Sequence, residues 1–207
     1  MQILLIGGYG SIGRRYAAIL KNLKANFDIY DITVRTEPKF EKYDAFIIAS
    51  PTDTHLDYLK KLQVYQRPIL CEKPVSKTPG DIPEIDNAFV VCNYFYVAQM
   101  LNIQPPYKIF YDFYNTGKDG MYWDCCQLIY MDPKMKLRMN SHRWNLNIND
   151  NWIKFRNLEE AYFRMISDFI YGKYENLWTL KDAKKMSQAV VDRMRREKEY
   201  ENKYEGR

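Results

Sequence analysis

The first thirteen residues, Met-Gln-Ile-Leu-Leu-Ile-Gly-Gly-Tyr-Gly-Ser-Ile-Gly, constrain this chain more than any other stretch. An unbroken apolar run, Ile3 to Ile6, reads as a strand buried on both faces, the kind found in parallel sheets. It breaks into glycines, and a helical pattern begins directly after them. Gly8, Gly10 and Gly13 have the G-x-G-x-x-G spacing of a turn that holds a dinucleotide. Each has its task. Gly8 lets the chain leave the strand in a tight turn, and Gly10 lets bare backbone approach a pyrophosphate. Gly13 lets the helix pack close to the strand, its positive end aimed at the phosphates. Tyr9, Ser11 and Ile12 fill the intervening positions of the same loop.

With 207 residues the chain holds one large domain or two small ones, and 46% apolar against 28% charged residues is the balance of a protein with a core. The formal charge of +5 is spread along the chain among acids, which argues against a nucleic-acid groove. No apolar stretch approaches the ~20 residues of a membrane span, and the chain enters a strand at once, without a signal peptide. The expectation is a cytoplasmic protein that meets neither membrane nor nucleic acid. Its four cysteines form no C-x-x-C pair and only two histidines are present, so no metal site is expected.

The helix after the glycines carries Tyr16, Ala17, Ile19, Leu20 and Leu23 at helical spacing, and a second strand follows from Phe27 to Ile32. Asp31 lies 18 residues past Gly13, near the offset at which a carboxylate accepts hydrogen bonds from the adenosine ribose. It favours NAD; Arg35, four residues on, is the alternative partner for the extra phosphate of NADP. A third strand, Tyr43 to Ala49, ends in Ser50-Pro51-Thr52-Asp53-Thr54-His55. Thr52 or Asp53 is the expected cap of the helix from Leu56 to Leu62. Ser50, Pro51 and Thr52 fall where open parallel sheets bind ligands. His55, closing that run in a first helical turn, is a candidate cofactor contact, and reads more readily as structural than catalytic.

A short strand, Pro68 to Cys71, runs into Glu72-Lys73-Pro74. Lysine at the mouth of a parallel strand places an ammonium beside a nicotinamide, open to tuning by Glu72 and by burial. Pro74 stiffens the loop and allows a cis Lys-Pro bond. Residues 76–86 are too broken for a full crossover helix, and Asn87 to Cys92 is the next strand.

Together, Gly8 to Arg15, Ala49 to His55, Glu72-Lys73-Pro74 and Val91-Cys92-Asn93 resemble the Gfo/Idh/MocA oxidoreductases, relatives of glucose–fructose oxidoreductase and inositol dehydrogenase. The resemblance covers the first half in order and spacing. It implies an N-terminal Rossmann domain with a parallel sheet that binds NAD(P). It also implies a smaller C-terminal α+β domain with an antiparallel sheet that shapes the substrate site and often supports oligomerisation. Carried over, Lys73 is the lysine that contacts substrate hydroxyl and nicotinamide ribose, and Asn93 opens the segment entering the second domain. Relatives continue with arginine and phenylalanine where this chain has Phe95 and Tyr96.

Pro105-Pro106 marks the boundary, giving domains 1–104 and 105–207. Tyr107 to Asn115 reads as a strand and Met121 to Met131 as a helix. In relatives an aspartate near the start of that helix is followed by a histidine, the usual acid–base residue. Here Asp124 is present, and Gln127 and Leu128 stand where the histidine would be. Glutamine orients a hydroxyl but exchanges no proton near neutrality. Proton transfer therefore falls to Lys73, with Asp124 or one of Tyr94, Tyr96 and Tyr122 assisting; the same residues are candidates to contact substrate. His142 has no histidine or cysteine near it.

Strands are expected at 136–140, 143–148 and 151–155, with a hairpin signal at Asn149-Asp150-Asn151. An amphipathic helix runs from 157 to a stop at Gly172, and Thr179 to Asp182 caps a last helix that, by resemblance, returns to the first domain. The second half is short for the family, so an abridged sheet and a monomer or homodimer are expected. The leading function is hydride transfer between NAD (or NADP) and a sugar, cyclitol or nucleotide-sugar alcohol. The alternatives are a dinucleotide-binding or sensor protein without turnover, and a reductase for an imine or a tetrapyrrole.

Overall fold

Ile3, Leu4, Leu5 and Ile6 are all buried, as a strand covered on both faces requires. The structure, a computed structural model, describes residues 1–33, 36–100, 108–110, 127–132, 135–140, 145–148, 151–154, 158–185, 187–188 and 192. Contacts divide the chain into two units: Met1–Val90 with Trp178–Arg207, and Val91–Leu177.

The chain begins β1 (Gln2–Ile6), α1 (Ser11–Asn22), β2 (Asn26–Tyr30), β3 (Ala45–Ile48), α2 (His55–Leu62), β4 (Ile69–Cys71) and β5 (Ala88–Val90). The second unit follows with α3 (Asn93–Met100), β6 (Lys108–Phe110), β7 (Gln127–Asp132), β8 (Met135–Asn140), β9 (Asn145–Ile148), β10 (Asn151–Lys154) and α4 (Leu158–Ile170). The two-residue strand β11 (Trp178–Thr179) then joins the first unit.

In the first unit the strand order is β11-β5-β4-β3-β1-β2, parallel throughout except for β11. This is a doubly wound sheet with its switch point between β1 and β3, the place where such sheets bind ligands. On one face Leu4, Ile6, Phe46, Ile48, Ile69 and Cys71 pack with Leu59 and Leu62 of α2 and with Leu180 and Ala183. Helix α1 buries Gly13, Tyr16, Ala17, Ile19 and Leu20, its apolar stripe at helical spacing. The expected α/β class with a Rossmann-type parallel sheet is what the chain forms.

Residues 180–185 are helical and start from a capping box. The Asp182 N–H donates to the Thr179 hydroxyl (3.2 Å), and the Thr179 N–H donates to the Asp182 carboxylate (3.0 Å). With β11 pairing β5, this segment belongs to the first unit.

The second unit holds a five-stranded antiparallel meander, β10-β9-β8-β7-β6. Strands β9 and β10 pair antiparallel, with Ile148 opposite Asn151. Helix α4 ends where Gly172 takes a left-handed φ of +73°, and the Lys173 N–H closes on the Asp168 carbonyl at 2.9 Å.

Two expectations are corrected. Gln127–Asp132 is a strand, paired to Phe110 on one side and to Met135 on the other, not the end of a helix. An apolar run of this length fits either state, and pairing on both edges decides for the strand. The contacts also divide after Val90, whereas the expected boundary fell after residue 104. The segment between holds α3, which packs on α4 and so groups with the second unit.

Candidate functional site

Register places the candidate residues on one line. Ile6 pairs with Tyr30 and Ile48, Ile48 with Cys71, and Cys71 with Val90, so these parallel strands end level. The residues that follow, Gly7, Asp31, Ala49 and Glu72, therefore share the carboxyl edge of the sheet.

The glycine turn is built from close approaches. Gly7 has φ +79°, and a Cβ there would lie 2.5 Å from the Ser50 backbone nitrogen. A Cβ on Gly8 would meet Ile29 at 2.5 Å, and one on Gly13 would meet the Gly7 carbonyl oxygen at 2.1 Å. Gly10 differs. Its nearest neighbour to a Cβ is the Gly7 oxygen at 3.4 Å, an ordinary contact, so no packing inside the protein demands a glycine there. Gly10 occupies the N-cap of α1, where backbone N–H groups and the helix dipole favour an anion. Gly7 was not singled out from the sequence, although the Gly-Gly doublet at the strand end was its signal.

Asp31 stands against this turn, its carboxylate accepting the Tyr9 N–H at 3.3 Å. Tyr9 itself is exposed. Ser50 and Thr54 share a hydroxyl hydrogen bond of 2.7 Å, and Thr54 also donates to the Pro51 carbonyl at 2.7 Å. Thr52–Thr54 is a 3-10 turn leading into α2, and neither Thr52 nor Asp53 caps the helix as expected. The last residue of that turn, Thr54, holds the N-cap position instead.

Glu72 is buried and accepts hydrogen bonds from the hydroxyl of buried Tyr16 on α1 and from the Lys73 N–H at 3.0 Å. The carboxylate thus links α1 to the main chain of Lys73. The sequence pointed to Glu72 as a tuner of the ammonium and gave no sign of Tyr16, which reads there as one more core position. The Lys73-Pro74 bond is cis. Lys77 pairs with Asp53 at 2.6 Å, joining the loops after β4 and β3.

His55 is 1% exposed. Its Nε2 lies 2.7 Å from the Ser50 carbonyl oxygen and its Nδ1 lies 2.9 Å from that of Pro74. A neutral ring has one N–H and serves one carbonyl, whereas the imidazolium serves both. Burial outweighs the two carbonyls and Asp53 and holds the ring below the ordinary histidine value of 6.5. The folded chain therefore resists protonation, and the unfolded chain takes up the proton first as pH falls. This contribution to stability is complete above pH 6.5 and is lost as pH falls toward the folded value. Melting curves between about pH 7.5 and 5.5 are expected to fall with acid in the wild type and to flatten in His55→Gln. Identical slopes in the two proteins would refute this.

In the second unit, Tyr96 is buried and its hydroxyl donates to the Asp168 carboxylate (3.1 Å) and to the Asn176 carbonyl (3.3 Å). Burial first, then Asp168, push its pKa far up, so Tyr96 exchanges no proton near neutrality. Asn93 and Tyr94 begin α3, with side chains outside the described residues, as is the side chain of Gln127 on β7. Arg35, Tyr122, Asp124 and His142 lie outside the described residues. Among the described residues no His, Cys, Asp and Glu cluster could hold a metal, and no helix is long and apolar enough to cross a membrane.

Comparison with known proteins supports the same reading. Residues 34–90 match the model of an oxidoreductase family, Gfo/Idh/MocA, described as an NAD-binding Rossmann fold. Residues 34–90 are similar in sequence to the Gfo/Idh/MocA oxidoreductases, and the chain is similar to such proteins in fold. The UDP-N-acetylglucosamine 3-dehydrogenase of Acidithiobacillus ferrooxidans is similar with a TM-score of 0.60 and 12% identity, over 93% of this chain and 96% of that one. The WlbA dehydrogenase of Thermus thermophilus, solved with NAD and UDP-GlcNAcA, gives 0.55 and 14%, over 92% and 94%. A putative myo-inositol dehydrogenase of Sinorhizobium meliloti gives 0.57 and 14%, over 93% and 98%. No curated protein matches the chain by sequence.

Proposed function

We propose that this protein is an NAD-dependent oxidoreductase that moves a hydride between the nicotinamide and a carbinol or carbonyl of a sugar, cyclitol or nucleotide-sugar. The observation that carries this reading is Gly10. It presents bare backbone at the start of α1, in a turn whose other glycines are each closed in by neighbouring atoms. The residues present fit a dinucleotide: the Gly8 to Gly13 loop for the pyrophosphate, Asp31 for the adenosine ribose, and Ser50, Pro51 and Thr52 along the same edge. The nicotinamide supplies the hydride chemistry. Lys73, as the resemblance implies, holds the substrate hydroxyl. The similar dehydrogenases named for UDP-N-acetylglucosamine, or solved with UDP-GlcNAcA, favour a nucleotide-sugar over a free sugar.

Titration with NADH and NADPH, followed by nicotinamide fluorescence, tests the cofactor half. The expected result is tighter binding of NADH, because the Asp31 carboxylate repels a 2′-phosphate. Asp31→Ser is expected to shift the NADPH to NADH preference by about tenfold or more. Absence of binding at high micromolar NADH would defeat the proposal.

A second reading, a protein that holds the cofactor without turnover, is favoured by one observation. By the resemblance, Gln127 and Leu128 stand where relatives carry the acid–base histidine, and neither exchanges a proton near neutrality. That reading requires NADH binding with no hydride exchange across a panel of sugars and nucleotide-sugars.

A further inference from the structure

Tyr16 is fully buried on α1, and the Glu72 carboxylate that meets it is buried too. Packing α1 onto the sheet asks only for an apolar side chain at position 16. A hydroxyl and a carboxylate taken out of water each cost free energy unless they are hydrogen-bonded. Replacing both partners of a buried hydrogen bond by apolar groups of the same shape is often nearly neutral. Stability alone therefore does not account for this pair, and its geometry supplies what an apolar pair cannot. One carboxylate oxygen, Oε1, accepts the Tyr16 hydroxyl, and the other, Oε2, accepts the Lys73 N–H at 3.0 Å. Each donor has its own oxygen, so the two bonds hold the carboxylate from both ends without competing.

We propose that Tyr16 is a positioning residue: through Glu72 it holds the main chain of Lys73 at a fixed place relative to the start of α1. The sheet does not do this. The Glu72 N–H makes the last bond of the ladder, to the Ile48 carbonyl at 2.8 Å, and Lys73 is the first residue beyond it. The Lys73 N–H goes to the Glu72 side chain, and Pro74, which follows, has no N–H to give. Tyr16 stands in the second turn of α1, the helix whose N-terminus faces the proposed pyrophosphate. By the resemblance, Lys73 meets the nicotinamide ribose and the substrate hydroxyl. The tie thus joins the helix that holds one half of a dinucleotide to the residue that meets the other half. This role rests on the oxidoreductase reading, because it gives a purpose to the spacing between α1 and Lys73.

Tyr16→Phe removes the hydroxyl and keeps the ring. NADH carries both halves of the cofactor, whereas ADP carries only the adenosine and the pyrophosphate. Calorimetric titration with each separates positioning from packing. In Tyr16→Phe the NADH affinity is expected to fall about fivefold, within the effect of one lost hydrogen bond, and the ADP affinity to stay within about twofold. Loosened packing of α1 weakens both ligands alike, because both use its N-terminus. A double-mutant cycle tests the route through Glu72. Once Glu72→Ala has cut the tie, adding Tyr16→Phe is expected to cost no further NADH affinity.

Lys73 itself reports on the tie in the free protein. In a chain labelled with nitrogen-15 lysine, the Lys73 amide signal is identified by its absence from Lys73→Arg. Its exchange with solvent is expected to quicken about tenfold in Tyr16→Phe. An unchanged NADH affinity, equal losses of NADH and ADP affinity, additive losses in the cycle, or a Lys73 amide exchanging at the wild-type rate would each overturn the proposal. If the wild type binds no NADH, the oxidoreductase reading fails, and the Lys73 exchange rate decides the tie by itself. If Glu72→Ala does not fold, Tyr16→Phe decides alone, through the two ligands and the exchange of Lys73.

Discussion

Gly13→Ala is expected to unfold the first unit at a temperature ~10 °C lower, the effect of a ~3 kcal/mol loss in a chain of this size. Two effects oppose each other. Alanine raises helix propensity by ~1 kcal/mol over glycine, and Gly13 lies within the first turn of α1. Against this, the new Cβ would lie 2.1 Å from the Gly7 carbonyl oxygen and 2.6 Å from the Gly8 Cα. Both are backbone atoms of the turn and neither can rotate away. Either α1 moves off β1, against which it packs, or the turn is displaced from Ser50. The steric cost wins. Scanning calorimetry with far-ultraviolet dichroism checks this, and a melting point equal to the wild type would show that the turn yields more easily than its geometry implies.

Gly10→Ala has the opposite signature. Its Cβ would meet only the Gly7 oxygen, at 3.4 Å, and Gly10 has φ −68° and ψ 171°, open to any residue. The folded chain is therefore expected to keep its melting point within about 1 °C, in the range of neutral surface changes. NADH affinity is expected to fall by at least about tenfold, because the methyl occupies the approach of the pyrophosphate to the bare amides. The contrast is the informative part. A packing glycine loses stability and binding together, whereas a ligand-facing glycine loses binding alone. Retention of full affinity in Gly10→Ala would remove the principal support for a dinucleotide at this turn.

The first half was legible because each strand carries its own signal. Ile3 to Ile6, Phe46 to Ile48 and Ile69 to Cys71 are short apolar runs closed by turn residues, and parallel strands buried on both faces read that way. Thr179 and Asp182 announced the last helix through local capping chemistry, and Gly172 announced the end of α4. The second half was harder. Gln127–Asp132 is compatible by composition with either period, and its state depends on Phe110 and Met135, each of which lies in a separate strand. Helix α3, Asn-Tyr-Phe-Tyr-Val-Ala-Gln-Met, is rich in strand-favouring residues, and its packing on α4 overrides that preference.

Residue types and spacing alone determined the buried strands, the glycine turn, Asp31 at its offset, and the Glu-Lys-Pro triplet at a strand mouth, while the Rossmann sheet was implied by the family resemblance. These are local facts: a buried strand must be apolar, a tight turn must be glycine, and a loop that stops a strand must break its pattern. Only the tertiary structure decided what the polar groups of that loop touch. Glu72 reaches Tyr16 across 56 residues, and the His55 ring lies between the carbonyls of Ser50 and Pro74. No periodicity encodes such pairs. They follow from the common register at which β1, β3 and β4 end, which brings a helix and two loops within hydrogen-bond distance where water is excluded.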